Sequence, residues 1–320
     1  TEQIKQTISR WQGLKDLPVQ VIKKTIVEDK VDILVDLSGF TADTKIDCLV
    51  NKLAPVQVSW LGYPFSTGLS SIDYKIVDNQ TDPIGLTENA YSENLVRLDH
   101  HFSVYSAPRV ASDTPVVNAP PCSENGYVTF GSYNNFLKVT DTALHAWARI
   151  LSSIENSKLI FKARQFKYHE SRQRVLDVFK QYDIELDRLV LIKHFDDLEA
   201  HYASFNNVDI NLDTWPYNGT TTTCESLYMG VPVVAYKGNS HRSRVSYSLL
   251  TSVGLDDLAV ESVDQYVELA INLARDKDRL ATIRLNLRDR FKASEAMNAL
   301  GFTRRLETAY QKMLQDKGYS

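Results

Sequence analysis

Hydrophobic and polar positions alternate in two different rhythms along this chain. From residue 127 onward the rhythm is regular. An apolar run over 127–134 (YVTFGSYN) ends in turn residues, and 141–154 then sets Leu144, Trp147, Ala148 and Leu151 on one helical face. Residues 157–163 (SKLIFKA) return to a strand-length apolar run. The pattern continues as a helix over 168–182, a strand over 189–193, a helix over 196–207 and a strand over 208–213. Further helices are expected at 241–253, 263–276, 279–292 and 302–314. Strands that alternate with helices over this length predict a doubly wound parallel α/β sheet.

The earlier rhythm is less complete. Residues 2–30 are charged and periodic enough for one or two helices. Residues 31–39 read as a buried strand and turn with Asp36 at the strand's carboxyl end. Short β-rich runs start at Val56, Tyr74 and Glu93, divided by Pro64, Gly68 and Asp82-Pro83. One helix candidate, 45–53, lies between these strands, so this part reads as a portion of an α/β sheet. Residues 107–126, with Pro108, Pro115, Pro120 and Pro121 and no periodicity, read as a linker. The expected division is 1–112, 113–300 and a last helix over 301–320 packing back on the first domain.

The most unusual chemistry lies in 212–236, LDTWPYNGTTTTCESLYMGVPVVAY, where four threonines stand between an apolar strand and a helix. Strand, polar loop, helix and strand make a βαβ unit, whose ligands sit outside the carboxyl ends of the strands. A helix that starts among Thr220 to Thr223 presents free N–H groups and the positive end of its dipole. Hydroxyls beside them complete a phosphate-binding arrangement. The spacing of Thr222 and Glu225 also matches a capping box, which would satisfy the helix start without any ligand.

Bulk composition narrows the function. The 320 residues have room for two domains, and a net charge of -4 leaves no footprint for nucleic acid or an anionic membrane. No segment reads as a signal peptide or a spanning helix. Cys48, Cys122 and Cys224 are odd in number and widely spaced, which suggests neither a disulfide framework nor a zinc cluster. A reducing, cytoplasmic location is the default expectation.

Other polar groups fall at predicted strand ends. Gly131, Asn135 and Lys138 follow the strand at 127, and a lysine there would neutralise a diphosphate. Residues 193–197 lead into a helix carrying His201, whose imidazole could stack on a base, meet a ribose or simply face solvent. Ser240, His241, Arg242 and Arg244 follow the strand at 231–236 and could meet an anion or an acceptor; equally, Ser240 could cap a charged loop. His100-His101 lacks a third metal ligand at useful spacing. The glycine-rich dinucleotide, P-loop, zinc-protease and nucleophile-elbow templates are absent. The surviving picture is a cleft that offers hydroxyls, amides and a lysine to a diphosphate, without a metal.

Four segments carry a family resemblance: APVQVSWLGYPFSTGL at 54–69, VTFGSYNNFLKVT at 128–140, LDTWPYNGTTTTCESLYMGVPVV at 212–234 and SRVSYSLLTSVGL at 243–255. The chain resembles the catalytic region of the O-linked N-acetylglucosamine transferase family (glycosyltransferase family 41), most closely its SPINDLY-type and bacterial branch. The resemblance implies a GT-B fold of two Rossmann-like domains, the first apparently incomplete here, with 113–300 holding the nucleotide sugar. It implies inverting, metal-independent transfer from a nucleotide sugar to Ser or Thr hydroxyls of proteins, with no cofactor.

By position, Asn135 and Lys138 would meet the nucleotide and diphosphate, with Lys138 as the catalytic group that stabilises the leaving group. His201 would pack on the base, Thr221 and Thr222 would bind phosphate oxygens, and Glu225 would bind the ribose. Thr220 stands where the animal enzymes have histidine. Thr67, His241 and Arg244 are candidates for the acceptor or sugar side.

The resemblance also implies a further strand–helix unit and tetratricopeptide repeats upstream, in a longer parent protein. Phe40 stands where many bacterial relatives have histidine, which leaves the catalytic base unassigned. UDP-N-acetylglucosamine is the favoured donor, GDP-fucose the alternative. A catalytically silent nucleotide-sugar-binding scaffold is a further alternative.

Overall fold

The computed structural model describes residues 2–107 and 116–319. The expected boundary at 112/113 and the linker stretch 108–115 lie outside the described residues. The chain divides into two compact units, one drawn from Thr1–Ile76, Glu88–Val96 and Glu307–Ser320, the other from Val77–Thr87 and Arg97–Leu306.

In the first unit, helices α1 (Glu2–Thr7) and α2 (Val19–Asp29) precede a four-stranded sheet in the order β1-β2-β3-β4. The strands are β1 (Ile33–Asp36), β2 (Val56–Ser59), β3 (Tyr74–Asp78) and β4 (Asn94–Leu98). β1 pairs with β2 in parallel, as β2 does with β3. The expected helix over 45–53 is a short 3-10 helix, Ile46–Val50. Its sequence, IDCLV, is rich in residues of weak helix propensity, and Ile46, Cys48 and Leu49 are all buried by the tertiary fold. Lys317 pairs with Asp73 at 2.8 Å, which ties the end of the chain into this unit.

The second unit follows the regular alternation closely. Its strands are β5 (Val128–Ser132), β6 (Ser157–Lys162), β7 (Leu189–Ile192), β8 (Ile210–Leu212), β9 (Val233–Tyr236) and a two-residue β10 (Ala259–Val260). They form one parallel sheet in the order β10-β9-β8-β5-β6-β7. Strand order reverses between β5 and β8, the place where open α/β sheets open a crevice beyond their carboxyl ends. The short β10 has no pattern of its own in the sequence, since two residues cannot show a period.

Helices α3 (Cys122–Asn125), α4 (Asp141–Ser153), α5 (His169–Lys180) and α6 (Leu198–Ala203) are followed by α7 (Thr221–Tyr228) and α8 (Val245–Ser252). The last three are α9 (Val263–Arg275), α10 (Lys277–Ala293) and α11 (Ala299–Asp316). α4 shows why the pattern folds as it does. The Thr140 hydroxyl caps it by accepting from the Ala143 N–H, and Leu144, Trp147, Ala148 and Leu151 are fully buried. Burial of Leu144 and of Leu151 contributes about 1.5–3 kcal/mol each relative to exposure. Trp147 donates its indole N–H to the Tyr266 hydroxyl of α9 at 3.2 Å, and that hydroxyl donates to the Asp213 carbonyl just after β8. The core thus reaches up to the loop that follows β8. Among the described residues no helix is long and apolar enough to cross a membrane.

Candidate functional site

The loops after β5 and β8 meet at the switch point. Asp213, which immediately follows β8, is buried and accepts from the Gly219 N–H at 2.8 Å and from Asn134 Nδ2 at 2.9 Å. One carboxylate therefore pins the start of the threonine loop to the loop after β5. Burial pushes its carboxyl up, against hydrogen bonds from Ser246 and Gly219 and the charge of Lys138. A Cβ at Gly219 would lie 2.5 Å from Thr223 Oγ1 and 3.2 Å from Asp213 Oδ1, so the turn admits only glycine at this spacing. Asp213 and Asn134 escaped the sequence reading; a carboxylate ending an apolar strand was the available signal.

Lys138 crosses the same gap. Its ammonium donates to the Asn218 carbonyl at 2.9 Å and lies 3.8 Å from the centre of the Tyr217 ring. Burial lowers its pKa, opposed by the Asp213 charge. Asn135, one turn earlier, caps a short 3-10 helix through Oδ1, which accepts from the Leu137 N–H and from Gln165 Nε2 at 2.8 Å.

The threonines differ in their surroundings. Thr220 is the N-cap residue of α7, with no side-chain capping bond. Thr221 is exposed and Thr222 half-buried, while Thr223 is buried with its hydroxyl 2.9 Å from Ser246 Oγ. The capping box expected from Thr222 and Glu225 does not form, because the helix begins two residues earlier and Glu225 lies in its second turn. Glu225 instead reaches His201 of α6, with Oε2 at 3.1 Å from Nε2. The first-turn N–H groups of α7 have no intrahelical partners by geometry, and the dipole's positive end lies with them.

Asn135, Lys138, His201, Thr220, Thr221, Thr222 and Glu225 thus all lie in the second unit, along the carboxyl ends of β5, β7 and β8. Of these seven, Asn135 lines a cleft of about 310 Å³, together with Tyr133, Lys162, Arg164, Gln165 and His194. His241 and Arg244 belong to the same unit but are engaged by protein groups. His241 Nδ1 lies 2.6 Å from Asp82 Oδ2, both side chains buried. Arg244 donates to the Gln80 carbonyl at 2.7 Å and the Gly238 carbonyl at 3.2 Å. Thr67 belongs to the first unit, where its hydroxyl and N–H both donate to Glu93 Oε1, at 2.5 and 2.6 Å. Among the described residues no three His, Cys, Asp or Glu side chains gather to hold a metal ion.

The model of glycosyl transferase family 41 matches residues 18–109 and 122–306. The chain belongs to glycosyl transferase family 41. It is 43% identical over 308 residues to a tomato (Solanum lycopersicum) protein described as a probable UDP-N-acetylglucosamine–peptide N-acetylglucosaminyltransferase SPINDLY, covering 95% of this chain and 32% of that protein. A SPINDLY protein of Arabidopsis thaliana is also 43% identical, over 95% of this chain and 33% of its own length. A mutant O-GlcNAc transferase of Thermobaculum terrenum superposes with a TM-score of 0.90 at 30% identity, over 99% of this chain and 59% of that one. Sucrose-phosphate synthase of Thermosynechococcus elongatus, at 12% identity and a TM-score of 0.63 over 93% of this chain and 77% of that one, shares the fold alone. The chain spans about a third of the length of the curated relatives it matches. The family 41 membership and GT-B-type fold expected from the four sequence segments are both borne out.

Proposed function

We propose that this family 41 chain is the catalytic region of a glycosyltransferase that moves a sugar from a nucleotide diphosphate donor to Ser or Thr hydroxyls of proteins. UDP-N-acetylglucosamine is the favoured donor, in line with the names its relatives carry. The acceptor hydroxyl attacks the anomeric carbon and releases its proton, the bond from that carbon to the diphosphate oxygen breaks with its electron pair leaving on the diphosphate, and the configuration inverts. Lys138, the hydroxyls of Thr221 and Thr222 and the start of α7 take up the charge that develops on the departing diphosphate. Asn135, His201 and Glu225 hold the nucleoside, and no metal is required because the lysine and helix dipole supply the positive charge.

The observation that carries this reading is the Lys138 ammonium. It lies against the loop that leads into α7 and bonds to a neutral carbonyl rather than to a carboxylate. Calorimetric titration with UDP and with GDP tests the donor: tight binding of UDP supports the reading, and tight binding of GDP alone replaces it with a GDP-sugar donor. Mass spectrometry of coexpressed proteins tests the transfer. A hexosamine increment on Ser or Thr is expected; nucleotide binding without any added sugar would leave a binding protein only.

A further inference from the structure

Lys162 ends β6 with only 5% of its surface exposed. Its Nζ lies 4.8 Å from the centre of the Tyr133 ring and 5.7 Å from that of Phe195, and it makes a hydrogen-bond contact with His201 Nδ1. Among the described residues no carboxylate pairs with it directly. An ammonium has three donors and no acceptor, so His201 Nδ1 accepts and the ring proton sits on Nε2. Nε2 in turn lies 3.1 Å from Glu225 Oε2, to which it donates that proton. The ring is held laterally by Phe205, in a T-shaped contact at 5.5 Å. Burial pulls the lysine down to about 8, against the charge of Glu225, so it stays mostly cationic at neutral pH.

We propose that Lys162 is a positioning residue for the nucleoside half of the donor site: through Nδ1 it fixes the tautomer and ring of His201, and through His201 it orients the Glu225 carboxylate. Glu225 Oε2 is then occupied by the imidazole and Oε1 is left to accept from a ribose hydroxyl. The reach to the nucleoside rests on the function proposed above; the tautomer assignment rests on the three side chains alone. A lysine buried without a carboxylate is costly to keep charged, and the proton relay to Glu225 offsets that cost. The sequence signal is a lysine closing the apolar run Leu159-Ile160-Phe161 of β6.

Long-range proton–nitrogen NMR of the imidazoles, with His201 assigned by the signals lost in His201→Gln, reads the tautomer directly. The wild-type chain is expected to show His201 protonated on Nε2 at neutral pH. Lys162→Met, which fills the same volume without a donor, is expected to give mixed tautomers and a UDP affinity about tenfold weaker, the size of one charge-assisted hydrogen bond. Lys162→Arg keeps the donor and is expected to retain the tautomer. A wild-type ring protonated on Nδ1, or a Met variant with the wild-type tautomer, overturns the proposal without reference to any nucleotide. A changed tautomer with unchanged UDP affinity overturns the positioning step. The expected tautomers in a wild-type chain that binds neither UDP nor GDP overturn instead the nucleotide reading on which that step rests.

Discussion

Glu225 Oε2 lies 3.1 Å from His201 Nε2, joining α7 to α6 through two side chains that are each about one-sixth exposed. The pair links the helix that begins with the threonines to the helix that follows β7. Replacing Glu225 with alanine removes the acceptor for the imidazole and for a ribose hydroxyl together. UDP affinity is expected to fall by about tenfold or more, with circular dichroism and the melting curve little changed. Wild-type affinity in calorimetry would remove Glu225 from the donor site.

Lys138→Ala removes the cation that faces the start of α7. Loss of one preorganised charge-stabilising donor typically costs ~10²–10³ in kcat, so turnover is expected to fall by that factor in a chain that folds normally. A peptide glycosylation assay measures it, and wild-type turnover would refute the leaving-group role.

Asp78 carries an acid dependence of stability. Burial raises its pKa, but the hydrogen bond and charge of His101, with bonds from the Thr81 N–H and the Ser248 hydroxyl, outweigh this and bring it down to about 2. A depressed carboxylate stabilises the fold above its unfolded value, near 3.8, and that stability is lost as pH falls through the folded value. The contribution is about 2 kcal/mol, lost between roughly pH 4 and pH 2. Denaturant titrations of the wild type and Asp78→Asn should differ near neutrality and converge across that window. Parallel pH profiles would show that another group controls the acid limb.

Arg284 of α10 is buried and donates to the carbonyls of Asn118, Val208 and Phe205 and to Asn206 Oδ1, at 2.9, 3.0, 3.3 and 3.1 Å. Arg284→Met leaves four acceptors without that donor. A loss of about 1–3 kcal/mol is expected, the cost of leaving buried acceptors unsatisfied, read from the denaturant midpoint. A change below about 0.5 kcal/mol would mean that the carbonyls find water instead.

Several of these groups were legible along the chain and several were not. Strand, threonine loop and helix around 208–236 could be read because apolar periodicity and turn chemistry are local. The start of α7 at Thr221 falls within the expected Thr220 to Thr223, but the spacing of Thr222 and Glu225 fits a capping box as well as it fits a helix already under way. Only the approach of His201 decides which use Glu225 has. Lys162 and Asp213 follow apolar strand residues and Arg284 sits in a helix crowded with charges, and in neither setting does a charged residue give a hint of what it will meet. His101 read as half of an incomplete metal pair, whereas the fold sets its Nδ1 2.7 Å from Ser248 Oγ, 147 residues away in the chain.

The sequence by itself determined the alternating α/β architecture of the second unit and the family, because both reside in short-range pattern and in four nearly continuous motifs. The tertiary structure alone decided the strand order, and with it the site. Parallel strands are joined through helices, so the order β10-β9-β8-β5-β6-β7 depends on how those helices pack, and no residue encodes it locally. That order sets the loops after β5 and β8 side by side and lets a lysine from one bond to a carbonyl of the other.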